Sequence, residues 1–103
     1  MRVIAVATLR EFWAEHPTSE QPIKSWLHEV KGANWTGPVE IKQHYATASI
    51  LKGGRVVFNI GGNKFRLVVQ VAYQTQVVFI KFVGTHAQYD LINAETIQWT
   101  KGR

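Results

Sequence analysis

The feature that most constrains the fold is the alternation of apolar and polar residues in the second half of the chain. Three segments, at about 55–60, 64–73 and 76–83, alternate in this way, and a period of two residues is typical of strands buried on one face. Gly61-Gly62-Asn63 separates the first two segments and predicts a tight hairpin, because glycine and asparagine tolerate positive φ. Gln74-Thr75 is a weaker turn signal between the second and third. The pattern predicts three consecutive antiparallel strands.

Two-residue connections at both turns assign each strand residue to one of two faces. One face is wholly apolar and is predicted to pack under helices; it holds Val56, Phe58, Ile60, Phe65, Leu67, Val69, Val71, Val78, Ile80 and Phe82. The opposite side, which we call the open face, holds the polar residues Arg55, Asn59, Lys64, Arg66, Gln70 and Lys81, with Val57, Val68, Phe79 and Val83 between them. A slip of one residue at a turn would mix charge into the core. This register places Arg66 and Lys81 diagonally close on adjacent strands.

The first half of the chain predicts a short strand followed by helices. Residues 2–7 are expected to form a strand, and Thr8 to cap a helix that runs to about His16, with Glu11 in the capping-box position. Pro17 ends this helix.

A second helix is expected from Ser19 or Glu20 to Lys31, where apolar residues recur at helical spacing and Gly32 follows the end. Pro38 is a possible start of a short helical turn that reaches His44. Together these patterns predict an α+β fold: an N-terminal strand, then a helical hairpin packed on one face of a mainly antiparallel sheet, with a short C-terminal helical segment.

Length and composition fit one small intracellular domain. The 103 residues correspond to a single domain, 1–103, and 46% of them are hydrophobic. The absence of cysteine excludes disulfides and thiolate metal sites and is typical of the reducing cytoplasm. Since no apolar run approaches the roughly 20 residues that span a bilayer, we expect no membrane partner.

The positive charge is unevenly distributed. Residues 1–51 contain five Lys or Arg and five Glu, whereas residues 52–103 contain seven Lys or Arg against Asp90 and Glu95 alone. Such asymmetry favours a polyanionic partner, because Lys and Arg displace the counterions of a phosphate backbone. A mildly basic protein with no such partner is the alternative.

The open face is a candidate phosphate-binding surface. Arg66 can grip a phosphate with two parallel hydrogen bonds, and Lys81 can add a compact positive charge. The alternative is an ordinary solvated face of a sheet that is covered on one side only.

The residues after the third strand form a candidate proton-transfer site. In the sequence Gly-Thr-His-Ala-Gln-Tyr-Asp over residues 84–90, one helical turn would bring His86, Tyr89 and Asp90 to the same side. Histidine titrates near neutral pH, and tyrosine can exchange a proton or present its ring to a base. The alternative is a structural turn capped by Thr85. His44, beside Tyr45, is a weaker candidate.

No motif for a metal or a nucleotide cofactor is present. The four histidines lack ligand spacing. Gly61-Gly62-Asn63-Lys64 is not followed by a predicted helix, so it is not a phosphate-binding loop. We expect neither a metal site nor a cofactor.

Several segments, in the same order over roughly residues 1–93, resemble the HigB-type toxins of bacterial toxin–antitoxin pairs, within the RelE-like group. They are residues 57–69, residues 83–90, the opening Thr8-Leu9-Arg10-Glu11-Phe12-Trp13 with His16-Pro17, and Ala48-Ser49-Ile50-Leu51. The resemblance implies a RelE-like fold and cleavage of messenger RNA on the translating ribosome. It also implies neutralisation by a partner antitoxin, commonly a helix-turn-helix protein encoded beside the toxin, and DNA binding only through the complex with it.

Related toxins use basic residues and a tyrosine or histidine, and carried to this chain these correspond to the catalytic candidates Arg66, Lys81, His86 and Tyr89. We also expect Asn59, Lys64 and Asp90 to bind substrate, and Asp90 can in addition orient His86. The predicted function is therefore that of an mRNA interferase that needs no metal. Two other functions remain open from the residues themselves: a non-enzymatic RNA-binding module, and an interaction protein whose partner covers the open face.

Overall fold

The protein is built on one five-stranded sheet, described here from a computed structural model that covers residues 1–98. The strands are β1 Arg2–Ile4, β2 Ser49–Ile50, β3 Arg55–Ile60, β4 Phe65–Ala72 and β5 Val77–Thr85, in the spatial order β1-β5-β4-β3-β2. All neighbouring pairs are antiparallel except β1 and β5, which are parallel. The predicted α+β fold with a mainly antiparallel sheet is confirmed.

Three helices cover one face of this sheet, and a fourth follows its last strand. They are α1 Val6–Glu15, α2 Glu20–Lys31, α3 Pro38–His44 and α4 His86–Tyr89. The predicted extents of α2 and α3 agree with these bounds. The main core forms where apolar side chains of α1, α2 and α3 meet the predicted core face of the sheet, with Trp26 and Phe58 among its largest fully buried members. None of the helices within residues 1–98 is long and apolar enough to cross a membrane.

The start of α1 differs from the prediction. The strand ends at Ile4 and the helix begins at Val6, so Thr8 lies in the first turn and no side chain caps the helix. Ala5 turns the chain sharply in a left-handed conformation, with φ of 76°. We attribute the early start to tertiary packing, because β1 must pair with β5 while Leu9 of α1 is completely buried.

The hairpin between β3 and β4 has the predicted register. Its loop spans four residues, and Ile60 pairs with Phe65 at its base. This is the alignment in which Gly61 and Lys64 would form the next pair, so the longer loop leaves the faces of both strands unchanged. Gly61, Gly62 and Asn63 all have positive φ, which explains why these residue types occupy the loop.

Candidate active site

A β-bulge in β5 changes which side chains line the open face. From the turn that joins β4 to β5 back to Val69, the two strands pair as predicted. Before Val69 in β4 the register shifts, so that Val68 lies opposite Phe82. Lys81 is the additional residue at this point. The predicted faces of Phe82 and Val83 are therefore wrong, because one inserted residue inverts the alternation of every residue after it. Val83 joins the main core, and Phe82 packs on the open face.

Phe82 is the centre of a small second cluster, which we call the open-face cluster. Its buried members are Val57, Val68 and Phe82, and the partly buried residues packed against it are Leu51, Tyr89, Ile92, Ala94 and Ile97. The ring of Phe82 also lies directly over Gly84. A Cβ added to Gly84 would lie 2.5 Å from Cζ of Phe82 and 2.9 Å from Oε1 of Gln88, so this close approach requires glycine.

The chain after α4 crosses the middle of the open face. Ile92, Ala94 and Ile97 pack on the open-face cluster, and Arg55 binds the backbone of this segment. Nη1 of Arg55 donates hydrogen bonds to the carbonyl oxygens of Ala94 at 3.3 Å and Ile97 at 2.8 Å. Arg55 is therefore on its predicted face but is only 5% exposed, and it serves to anchor this segment.

Arg66 lies on β4 at one end of the open face. It is half-buried, opposite Asn59 on β3 and Gly84 on β5. Nη1 donates to the carbonyl oxygen of Asn63 at 3.0 Å, and the guanidinium carbon lies 5.8 Å from the centre of the Tyr89 ring. Within the described residues no carboxylate forms an ion pair with Arg66, so its charge is available to an anion.

The short helix α4 presents the other candidate groups. Thr85 caps it: Oγ1 accepts a hydrogen bond from the backbone N–H of Gln88 at 3.2 Å, while Oε1 of Gln88 accepts one from the backbone N–H of Thr85 at 2.8 Å. Nδ1 of His86 lies 3.2 Å from Oδ2 of Asp90, and both side chains are more than half exposed. An exposed contact of this kind contributes little stability; in it Nδ1 is the ring nitrogen next to Asp90, and Nε2 is turned away from the carboxylate.

Backbone pairing brings α4 close to the hairpin loop. The backbone N–H of His86 donates to the carbonyl oxygen of Lys64 at 3.2 Å, and the Lys64 side chain is exposed. Asn59 is tied to the same end of the sheet, since its Nδ2 donates to the carbonyl oxygen of Thr47 at 3.4 Å. We call this group the Arg66 end of the open face; it comprises Asn59, Lys64, Arg66, His86, Tyr89 and Asp90.

Lys81 lies apart from this group. It precedes Gly84, the residue opposite Arg66, by three positions, which corresponds to about 10 Å along a strand. Nζ of Lys81 lies 5.6 Å from the centre of the Phe79 ring and donates to Oε1 of Gln98 at 3.2 Å. The prediction that Arg66 and Lys81 lie diagonally close is wrong, because the bulge moves Lys81 one position further from the residue opposite Arg66 and places Phe82 between them.

The alternative proton-transfer residues are on the other side of the sheet. His44 and Tyr45 stack on each other, and both rings contact Trp35 in the main core. The Tyr45 hydroxyl donates to Oε1 of Glu29, and burial, together with this hydrogen bond and the negative charge of Glu29, raises the pKa of Tyr45. Among residues 1–98, no three His, Asp or Glu side chains lie close enough to hold a metal ion.

Two residues important for this arrangement were missed in the sequence. The alternation predicts a core position for Phe82, and the local signal of irregularity is the run Phe79-Ile80-Lys81-Phe82-Val83, in which Lys81 interrupts an otherwise apolar stretch. The alternation predicts the correct face for Arg55 but indicates no role for it. Its function depends on carbonyl groups about 40 positions later in the chain, and no local pattern could have indicated it.

Residues 19–92 match the family HigB_toxin, described as the RelE-like toxic component of a toxin-antitoxin system. Two relatives align over the whole chain. The mRNA interferase toxin HigB of Escherichia coli strain K12 is 26% identical over 105 residues, covering 100% of this chain and 99% of the relative. The mRNA interferase HigB of Shigella flexneri has the same identity and coverage.

A more distant relative, the mRNA interferase HigB of Escherichia coli O6:H1 strain CFT073, is 23% identical over 92 residues, or 87% of this chain and 89% of the relative. The matched region includes α2, which covers the core face of the sheet, and also the complete β3–β4–β5 meander and α4, which carry the residues of the Arg66 end. By this match the chain belongs to the HigB family of RelE-like toxins.

Proposed function

We propose that this toxin is an mRNA interferase, a metal-independent endoribonuclease that cleaves translated messenger RNA on the ribosome and thereby arrests growth. Two kinds of support exist. The full-length relatives carry the name mRNA interferase. The observation that carries the proposal is the Arg66 end, where an arginine with no ion-pair partner within the described residues lies against the ring of Tyr89, a residue of the same short helix as His86.

RNA can be cut by its own 2′-hydroxyl. The 2′-oxygen attacks the adjacent phosphorus, the bond from phosphorus to the 5′-oxygen breaks, and a 2′,3′-cyclic phosphate forms. One proton must leave the 2′-hydroxyl and one must reach the departing 5′-oxygen, while extra negative charge on the phosphoryl oxygens is stabilised. The reaction also requires the attacking and leaving oxygens to be held in line.

The groups at the Arg66 end match these requirements. Arg66 would bind the phosphoryl oxygens with charge-assisted hydrogen bonds. His86, oriented by Asp90, would exchange a proton through Nε2, and the Tyr89 hydroxyl would serve as the second proton-transfer group or present its ring to a base. Asn59 and Lys64 would hold the nucleotides on either side.

Lys81 has a different place in this proposal. Because Phe82 and the covering segment lie between Lys81 and Arg66, Lys81 would bind another phosphate of the same strand rather than the reacting one. The ribosome would supply much of the positioning, since so small a protein offers a short contact surface.

We also propose a cognate antitoxin as the partner of this chain, a helix-turn-helix protein that neutralises it in the cytoplasm. The family description, the toxic component of a toxin-antitoxin system, supports an antitoxin. DNA would be bound only through the complex.

Single-turnover cleavage of a message positioned on purified ribosomes tests the activity. We expect cuts within the translated region that leave a cyclic phosphate and a 5′-hydroxyl, and that persist with a chelator selective for transition metals. A single 2′-deoxynucleotide at the cut position should abolish cleavage there. An uncut message, or normal cell growth at high soluble expression of the toxin, would refute the proposal and favour a non-enzymatic RNA-binding module.

A further inference from the structure

A groove separates α1 from the chain that follows β5. It encloses about 300 Å³, and its floor is formed by Phe82 and Val83 of β5. One wall is formed by the C-terminal half of α1 and His16 after it, and the other by Gln88, Leu91 and Ile92. We call it the α1 groove. Its second wall begins within α4 at Gln88, so the groove adjoins the helix that carries His86 and Tyr89.

The groove combines apolar surface with two unpaired carboxylates. Of the seven acidic residues in the chain, five form an ion pair or a hydrogen bond: Glu20, Glu29, Glu40, Asp90 and Glu95. The remaining two, Glu11 and Glu15, have no such partner within the described part of the chain, and both line the α1 groove. On a protein of net charge +5, this is a local site of opposite sign.

Leu91 gives a further indication of a missing partner. It lines the groove and is 86% exposed, the highest value among the large hydrophobic residues that are exposed in the described structure. Exposing a leucine to water at the rim of an apolar groove is unfavourable, so a partner that covers the leucine lowers the free energy of the system.

We propose that the α1 groove is the docking site for the antitoxin, and that the bound segment carries an apolar side chain flanked by Lys or Arg. This inference rests on the proposed toxin–antitoxin function and adds the surface and its chemistry. The apolar side chain would fill the space over Phe82 and against Leu91, and the flanking cations would pair with Glu11 and Glu15.

The charges argue for a protein segment and against RNA. A phosphate backbone in the groove would be repelled by two carboxylates, whereas Lys or Arg beside an apolar anchor complements both features. The groove shares Phe82 and Ile92 with the open-face cluster, but none of the basic residues of the open face, which suit RNA, lines it. None of the residues of the Arg66 end lines the groove, so a partner that fills the groove would leave their side chains accessible.

The test compares matched substitutions in the groove and outside it. Glu15→Lys and Leu91→Asp alter the groove; Glu20→Lys on α2 and Val39→Asp on α3 are their controls, since Val39 is also exposed, at 68%, beside a different apolar patch. Each variant is titrated with the purified product of the reading frame adjacent to the toxin gene. Melting curves and ribosome-dependent cleavage are measured for the same preparations.

We expect each groove variant to bind the antitoxin at least about tenfold more weakly, with cleavage and melting unchanged, and each control to bind as the wild type does. Co-expressed antitoxin should then fail to rescue growth from the groove variants. Raising the salt concentration should weaken binding of the wild type more than that of Glu15→Lys.

The contrary outcomes separate this inference from the proposed function. If the groove variants bind the antitoxin like the wild type, the docking site is elsewhere while the toxin activity stands. If they lose ribosome or RNA binding instead, the groove is an RNA subsite. If Leu91→Asp dissociates a dimer of the toxin alone, the occupant is a second copy of this chain. A wild-type toxin that does not cleave would overturn the proposed function itself.

Discussion

The guanidinium group of Arg66 lies against the ring of Tyr89, with its central carbon 5.8 Å from the ring centre. This contact joins β4 to α4 across the open face, so that a positive charge and a phenol converge at one point. A cation over an aromatic face is attracted by the electrons of the ring. The arginine is thereby held in place before any substrate arrives, which is the condition for efficient electrostatic catalysis.

Replacing Arg66 should therefore reduce cleavage strongly. We expect Arg66→Ala to lower the single-turnover rate on ribosomes by about 10²- to 10³-fold, the effect of losing one preorganised donor. Arg66→Lys should recover only part of the rate, because lysine cannot form two parallel hydrogen bonds. Melting temperatures should change little. Wild-type cleavage by Arg66→Ala would remove this residue from the mechanism.

His86→Gln and Tyr89→Phe should each slow cleavage by about 10²- to 10⁴-fold while ribosome binding persists, because both keep side-chain size and remove proton-transfer capacity. Asp90→Asn, which weakens the orientation of His86, should have a smaller effect in the same assay. If this turn has only a structural role, His86→Gln should leave the rate of cleavage unchanged, since the Thr85–Gln88 cap does not use the imidazole. Rates and melting curves measured together decide between these outcomes.

The parts of the fold that could be predicted are those where local residue patterns agree with tertiary packing. The β3–β4 hairpin is one of them, because Gly61, Gly62 and Asn63 supply the positive φ values of the loop and the alternation on either side specifies the register. The extent of α2 is another, since the helical spacing of its apolar residues and the position of Gly32 indicate the same end of the helix.

The bulge at Lys81 could not be predicted, for a specific reason. Phe82 and Val83 are both apolar, so exchanging their faces leaves the apolar pattern equally acceptable. The choice is made by the chain after α4, which provides an apolar cover for Phe82 on the open face. The burial of Arg55 could not be predicted for the same reason, because it depends on residues that are distant in the sequence.

Alkaline pH should destabilise the fold through Tyr45. Burial is the main reason that the pKa of Tyr45 is raised, and the hydrogen bond to Glu29 adds to it. The unfolded chain ionises its tyrosines near about pH 10, whereas folded Tyr45 resists ionisation. Its contribution to stability is thus complete below about pH 10 and is lost as the pH rises from there towards the higher folded-state pKa.

Urea unfolding at about pH 8 and about pH 11 measures this effect. The wild type should lose more stability between the two conditions than Tyr45→Phe, which has no phenol to ionise. Tyr73→Phe is the comparison, because burial raises the pKa of Tyr73 as well but without a carboxylate partner, and it should remove a smaller part of the loss. Equal losses in the wild type and Tyr45→Phe would contradict the assignment.

Gly84→Ala should damage both stability and cleavage. The added methyl group would lie 2.5 Å from Cζ of Phe82, so the ring must move, and overpacking of this kind costs about 1–3 kcal/mol. The displaced ring would disturb the support of Tyr89 in the open-face cluster and the Thr85–Gln88 cap. Gly32→Ala is the matched control, because its nearest atoms are 3.8 Å away and its φ of −88° suits alanine. Adding Phe82→Leu to Gly84→Ala should relieve the clash, so the double variant should lose less stability than the sum of the losses in the two single variants. Strictly additive losses would mean that the contact between the ring and the glycine does not constrain the site.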